Sequence, residues 1–128
     1  MDIVTRKQLN ILIQLAEVDK HFSHLEREMI FNLAKKKQFP SNQVKELIRN
    51  PEPIGTLGAL SSEQRFDYLY NIIDLMLADK KIFDTEVLFC KDIAIKLGFK
   101  KDVVEFLQEE IHEHTLEELK KMVFRKYT

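Results

Sequence analysis

The chain has 128 residues, of which 45% are hydrophobic and 32% are charged, and its net charge is −1. This length predicts one domain with a sizeable buried core, and the balanced charge excludes the overall field by which a protein attracts nucleic acid or anionic lipid. The single cysteine excludes an internal disulfide and a cysteine-based zinc cluster, and no apolar run approaches the ~20 residues that span a bilayer.

Helix breakers fall only between the periodic segments of the chain or at their ends. All three glycines and all three prolines are placed in this way, so the helix interiors avoid them. No segment has the alternating apolar pattern of a strand. The sequence therefore predicts an all-α fold, and in chain order the predicted helices are residues 3–18, 23–38, 41–49, 62–79, 84–97, 101–112 and 115–127.

Three of these helices begin with a capping box. In this motif a Ser or Thr side chain and a Glu or Gln three residues later bond each other's backbone N–H groups. The pairs are Ser23 with Glu26, Ser61 with Gln64 and Thr115 with Glu118. These pairs predict where the second, fourth and seventh helices start.

The first and fourth predicted helices are apolar on nearly all sides, which is typical of helices at the centre of a bundle. The chain also repeats itself, because residues 15–48 align with residues 75–108 without a gap. We therefore predict a seven-helix bundle that forms one domain, residues 1–128. Within it, a unit of about 1–49 and a unit of about 62–112 are related by a pseudo-twofold axis, and helix 115–127 is an addition.

A corner between two helices occurs twice, as AEVDKHFSHLE at 16–26 and MLADKKIFDTE at 76–86. The spacing is close to that of an EF-hand loop. However, a leucine occupies the first ligand position in each copy, and a lysine occupies the position that needs glycine. Two interpretations compete: a helix-to-helix corner built twice, or an acidic metal loop used twice. In the structural interpretation the Asp accepts backbone N–H groups and the Glu stabilises the start of the next helix.

The segments LIQLAEVDKHFSHLEREMIFNLAKKKQF and NIIDLMLADKKIFDTEVLFCKDIAIKLGF resemble the TerB-like family. This family includes tellurite-resistance TerB proteins and the N-terminal domain of DjlA-type co-chaperones. The resemblance covers nearly the whole chain and implies an all-helical, bacterial, stress-associated binding or scaffolding module.

The resemblance also implies which residues would contact a metal ion, since acidic corner residues are suspected of doing so in some members. Here they would be Asp19, Glu26, Asp79 and Glu86. Lys20 and Lys80 stand where the family has glycine, which argues against metal binding. The chain has no His-Pro-Asp tripeptide, so the co-chaperone role does not transfer.

Other reactive side chains are better explained by folding or solvation. Cys90 occupies a core-facing position, so we predict that it is buried. The histidines are predicted to lie on the surface, and Lys35–Lys37 is predicted to be a solvated helix end. The connector 50–60 is predicted to lie over the core. No nucleophile stands in a recognisable catalytic setting, so we do not expect an enzyme.

The predicted function is therefore non-enzymatic protein interaction or scaffolding, related to stress or tellurite response. The alternative is a metal-binding or oxyanion-sensing module that uses the two acidic corners. We expect an unidentified protein partner, a candidate homodimer, no cofactor, no nucleic acid and no membrane span. The first ten residues lack the pattern of a signal peptide, so a cytoplasmic location is expected.

A further expectation concerns the flank formed by Phe83, Val87, Leu88 and Ile95. Their counterparts in the first copy are polar, and only the second copy is followed by an extra helix. We expect residues 115–127 to cover this flank. If they do not, the flank is an exposed apolar surface of the kind that marks a binding face.

Overall fold

The computed structural model describes residues 2–20, 22–78 and 81–128. Over these residues the chain forms seven α-helices and no strand. They are α1 (Ile3–Glu17), α2 (His24–Lys36), α3 (Ser41–Arg49), α4 (Ser62–Ala78), α5 (Asp84–Lys96), α6 (Val103–Glu110) and α7 (Leu116–Lys126). The predicted all-α bundle is confirmed, and every observed helix end lies within two residues of the predicted one.

The starts of α2, α4 and α7 are fixed by the predicted capping boxes. At α2, Glu26 N donates to Ser23 Oγ over 3.1 Å, and Ser23 N donates to Glu26 Oε1 over 3.0 Å. The same reciprocal bonds hold Ser61 to Gln64 and Thr115 to Glu118. Each box provides acceptors for backbone N–H groups that have no partner inside the helix.

The ends of α2 and α5 have the same geometry. Gln38 and Gly98 both have positive φ angles, 60° and 91°. Phe39 N then donates to the carbonyl oxygen of Ala34 over 2.8 Å, and Phe99 N to that of Ala94 over 2.9 Å. Both helices thus end in a Schellman motif at positions 60 residues apart. This match agrees with the proposed repeat, although the pseudo-twofold relation itself stays a prediction.

The core is built around α1 and α4, which run in the same direction. Near their starts, the Tyr68 hydroxyl donates to the carbonyl oxygen of Val4, and Gln8 Nε2 donates to Asp67 Oδ2 over 3.1 Å. Further along both helices, Leu12 and Leu75 line one cavity. The ends of α1 and α4, and hence the two corners that follow, therefore lie at the same end of the bundle.

The connector 50–60 packs against the core, as predicted. Leu57 is buried, and Ile54 and Leu60 are partly buried against the core. Asn10 fixes the connector by two bonds to the backbone of Glu52, 2.8 Å to its oxygen and 2.9 Å to its nitrogen. The buried amide of Asn10 thus supplies the hydrogen bonds that this irregular backbone needs.

Helix α7 does not cover the flank of α5, so that expectation was wrong. Leu88 and Ile95 are 61% and 56% exposed. The apolar stripe of α7 meets aromatic rings instead. Phe124 lies 6.4 Å from Phe66 and 5.5 Å from Phe99, measured between ring centroids. Phe66 lies on α4 and Phe99 lies in the turn before α6, so α7 packs against these two parts of the molecule.

Helix α6, rather than α7, is the neighbour of α5. Lys91 on α5 pairs with Glu105 on α6 at 2.6 Å. At the chain end, Tyr127 lies 5.1 Å from the ring of Phe106 on α6.

Along the described part of the chain, no helix combines the length and apolarity needed to cross a membrane.

Candidate functional site

The two corner glutamates are buried and bonded to the backbone. Glu26 and Glu86 are only 1% and 2% exposed. One carboxylate oxygen of Glu86 accepts the backbone N–H of Phe83 over 3.1 Å, as Glu26 does for Ser23. Phe83 has no side-chain acceptor, so α5 has only this half of a capping box. Both glutamates therefore stabilise helix starts.

Each corner also has an Asp-Lys pair, and the structure describes this pair only in the first copy, as Asp19 and Lys20. Asp19 is half-buried, and Lys20 has a left-handed backbone with φ of 63°. A left-handed conformation costs a non-glycine residue roughly 1–2 kcal/mol, which explains why glycine is favoured at such a turn. Asp79 and Lys80 lie outside the described residues, as does His21.

No metal cluster is formed within the described residues. Among residues 2–20, 22–78 and 81–128, no three His, Cys, Asp or Glu side chains are grouped so that they could hold a metal ion. His24 and His112 are exposed, and His114 Nε2 lies 3.0 Å from Glu110 Oε2 on the adjacent turn.

Cys90 is fully buried, as predicted. Its Sγ lies 3.8 Å from the Sδ of Met76. Burial raises the pKa of the Cys90 thiol, and the nearby Glu86 carboxylate raises it further. The thiol is therefore a small apolar part of the core.

A groove runs between α2 and α4, and we name it the α2–α4 groove. It consists of two adjoining cavities of about 740 Å³ and 250 Å³, which share Leu33, Lys36 and Asn71 in their walls. Helix α7 borders the larger cavity through Leu116, Glu117 and Lys120. The apolar side chains that α1, α2 and α4 contribute to the lining, which we call the groove floor, are Leu12, Met29, Ile30, Leu33, Phe66, Tyr70 and Leu75.

A hydrogen-bonded cluster joins the α2 and α4 walls of this groove. Lys37 Nζ lies 2.8 Å from Asp67 Oδ2 and 2.7 Å from Gln8 Oε1. Asn71 Nδ2 donates to Asp67 Oδ1 over 3.1 Å. Lys37 was predicted to be part of a solvated helix end, but it turns inward because the Asp67 carboxylate and the buried Gln8 amide offer acceptors.

A second ion pair joins α7 to the start of α4. Lys120 Nζ lies 2.6 Å from Glu63 Oε1. The hydrogen bond and the charge of Lys120 lower the pKa of the exposed Glu63 carboxyl. Two of the carboxylates that α4 presents to the groove are thus paired with lysines of the same chain.

Asp74 differs from these two carboxylates. It is half-buried in the wall of the smaller cavity. Within the described residues it has neither an ion pair nor a hydrogen bond. Burial raises the pKa of Asp74, and the charge of His112 opposes this only in part. Burial raises the pKa of Tyr70, and the charge of Asp74 raises it further.

This groove was not predicted from the sequence, because the fourth helix is apolar on nearly all sides. The missed signal is the polar stripe Asp67, Tyr70, Asn71 and Asp74, which recurs at helical spacing on that helix. The contribution of Lys37 could not be read from sequence, because it depends on how α2 crosses α4.

The arrangement offers an apolar floor and five carboxylates, those of Asp2, Glu63, Asp67, Asp74 and Glu117. Glu63 and Asp67 are paired with lysines, whereas Asp74 is half-buried without an ion pair among the described residues. Such a combination of a concave apolar surface and a few polar groups is typical of a binding site. A comparison of the chain with protein-family models, curated proteins and solved structures finds no match.

Proposed function

We propose that this chain is a non-enzymatic protein-interaction or scaffolding module that binds its partner in the α2–α4 groove. The observation that carries the proposal is the groove itself, an open concave surface between two helices of a folded bundle, lined by apolar side chains together with polar and charged ones. Exposed apolar surface of this kind marks interaction sites, because its burial against a partner is favourable.

The resemblance to the TerB-like family supports the same class of function. It adds a bacterial setting and a role in stress or tellurite response. These remain parts of the proposal and rest on the two quoted segments alone.

Metal or oxyanion sensing through the corners has less support. Glu26 and Glu86 are buried, and each has a carboxylate oxygen bonded to a backbone N–H. A metal ion would have to compete with these bonds, which stabilise the starts of α2 and α5.

A homodimer would use a different surface, the exposed flank of α5. Leu88 and Ile95 are seven residues apart, so they lie on one face of the helix two turns from each other. Sedimentation of wild type and of the double variant Leu88→Lys/Ile95→Lys tests this. A dimer in wild type that becomes a monomer in the variant supports the flank as the contact, and a monomer in both contradicts it.

The groove is tested by filling it. Asn71 borders both cavities, and among the described residues its side chain bonds only to Asp67 one turn earlier on the same helix. Asn71→Trp should therefore block the groove with little effect on the core. Asn42→Trp is the matched control, because Asn42 is exposed on α3 and is not among the groove residues.

Both variants and the wild type are used as bait in the native lysate, after circular dichroism has shown equal helix content. The proposal expects a protein that wild type and Asn42→Trp retain and that Asn71→Trp loses. Retention of the same proteins by all three baits would contradict it.

A further inference from the structure

We propose that the α2–α4 groove recognises a cationic amphipathic helix, whose apolar side chains cover the groove floor and whose lysine or arginine pairs with Asp74. This inference rests on the proposed function and specifies the chemistry of the partner. It is argued from the shape of the groove and from the way its charges are paired.

The groove is as long as a short helix. Its α4 wall extends from Glu63 to Leu75, which at 1.5 Å per residue is roughly 18 Å or three helical turns. A partner helix with apolar residues at intervals of three or four positions would place one on the floor at each turn. Leu33 lies at the junction of the two cavities and would contact the central one.

The pairing of the carboxylates in the groove favours a partner with a cationic side chain. Glu63 has Lys120 at 2.6 Å, and Asp67 has Lys37 at 2.8 Å. Asp74 has no such lysine within the described residues, although it is half-buried already. A partner that covers Asp74 without offering a cation would bury an unpaired charge, which is strongly unfavourable.

The opposite wall sets the orientation of the partner. Lys36 on α2 borders both cavities and is exposed. Lysines on that side of a bound helix would be repelled, whereas lysines on the α4 side would meet Asp74. The basic residues should therefore lie along one edge of the apolar stripe, with neutral or acidic residues along the other.

Two synthetic helical peptides test the inference. Both are 14 residues long, carry leucine at positions 2, 5, 9 and 12, and have a fluorescent label. One has lysine along one edge of the leucine stripe, and the other has glutamate at the same positions. Binding to the full chain is measured by fluorescence anisotropy at low and at physiological ionic strength.

The lysine peptide should bind wild type at least about tenfold more tightly than the glutamate peptide, and the difference should shrink as salt rises. Asp74→Asn should weaken the lysine peptide about five- to tenfold. Asp92→Asn, a matched change of an exposed aspartate on α5, should leave its affinity unchanged.

Other outcomes separate this inference from the proposed function. If both peptides bind equally and Asn71→Trp abolishes both, the groove binds helices but the cation requirement is wrong. If the lysine peptide does not bind, or binds Asn71→Trp as well as it binds wild type, the inference fails, and the lysate comparison decides the proposed function separately. Binding of dodecanoate but of neither peptide would identify an acyl-chain site and overturn the inference.

Discussion

At the scale of single residues, burial decides the chemistry of the cysteine. Cys90 lies in the core beside Met76, and burial raises the pKa of its thiol, so the reactive thiolate is disfavoured. We expect a thiol reagent to label the native protein at least about 100-fold more slowly than the urea-unfolded protein, because labelling must wait for local opening. Equal labelling rates in the two states would contradict the burial and would reopen a redox role.

Asp74 should lower stability while it is ionised. Burial raises its pKa in the folded state above the unfolded value, so the folded state favours the protonated carboxyl. Asp74→Asn should raise the free energy of unfolding at neutral pH by less than about 1 kcal/mol, since solvent screens a half-exposed charge.

This gain should disappear in acid. As pH falls through the folded and then the unfolded pKa of Asp74, the wild-type carboxyl becomes protonated in both states and the two proteins converge. Urea unfolding at neutral and at acid pH measures both values, and Asp92→Asn is the exposed control. A gain for Asp74→Asn that is the same at both pH values would mean that the charge is not its cause.

At the scale of elements, α7 contributes to the core through one face only. Leu119 is fully buried, whereas Leu116 on the same helix is 54% exposed. Leu119→Ala should cost about 2–4 kcal/mol because it removes buried methyl groups and leaves a cavity. Leu116→Ala should change the free energy of unfolding by less than about 0.5 kcal/mol. Thermal or urea unfolding of the pair measures the contrast, and equal losses would contradict this packing.

The two corners should not respond to metal ions. Their glutamates already bond backbone N–H groups at the starts of α2 and α5. Thermal melts with chelator, calcium, zinc or manganese are therefore expected to agree within about 1 °C, because only a ligand that binds the folded state raises the melting temperature. An increase of several degrees with one metal, removed by Asp19→Asn plus Asp79→Asn, would restore the metal interpretation.

The helices were predictable from sequence because their signals are local. A capping pair such as Ser23 and Glu26 fixes a helix start by contacts within three residues, and glycine and proline mark the gaps. The contacts between helices were harder to predict. Helix 115–127 was predicted from the sequence, but its packing against Phe66 and Phe99 instead of the flank of α5 depends on tertiary contacts. The groove was missed for the same reason.

At the scale of the whole molecule, the two central helices depend on each other. Leu9, Ile13, Leu69 and Ile73 are all fully buried on α1 and α4. The fragment 1–60 contains α1 but not α4. The apolar side chains of α1 that pack against α4 would therefore stay in water, at a cost of ~1.5–3 kcal/mol for each large side chain. We expect this fragment to show no cooperative urea transition by circular dichroism.

Mixing fragments 1–60 and 61–128 is the control for the integrity of both pieces. The mixture should regain helix content and a cooperative transition, since α4 then becomes available to α1. A fragment 1–60 that unfolds cooperatively alone would show that the first half is an independent domain.

The parallel arrangement of α1 and α4 also has a consequence during synthesis on the ribosome. Residues near Val4 bond residues near Tyr68, so the central contact joins positions more than 60 apart in the chain. At a synthesis rate of ~5–20 residues per second, α1 waits roughly 3–12 s for the end of α4 to be made. During this interval the side of α1 that packs on α4 has no native cover, so the nascent first half is exposed to aggregation and to capture by chaperones.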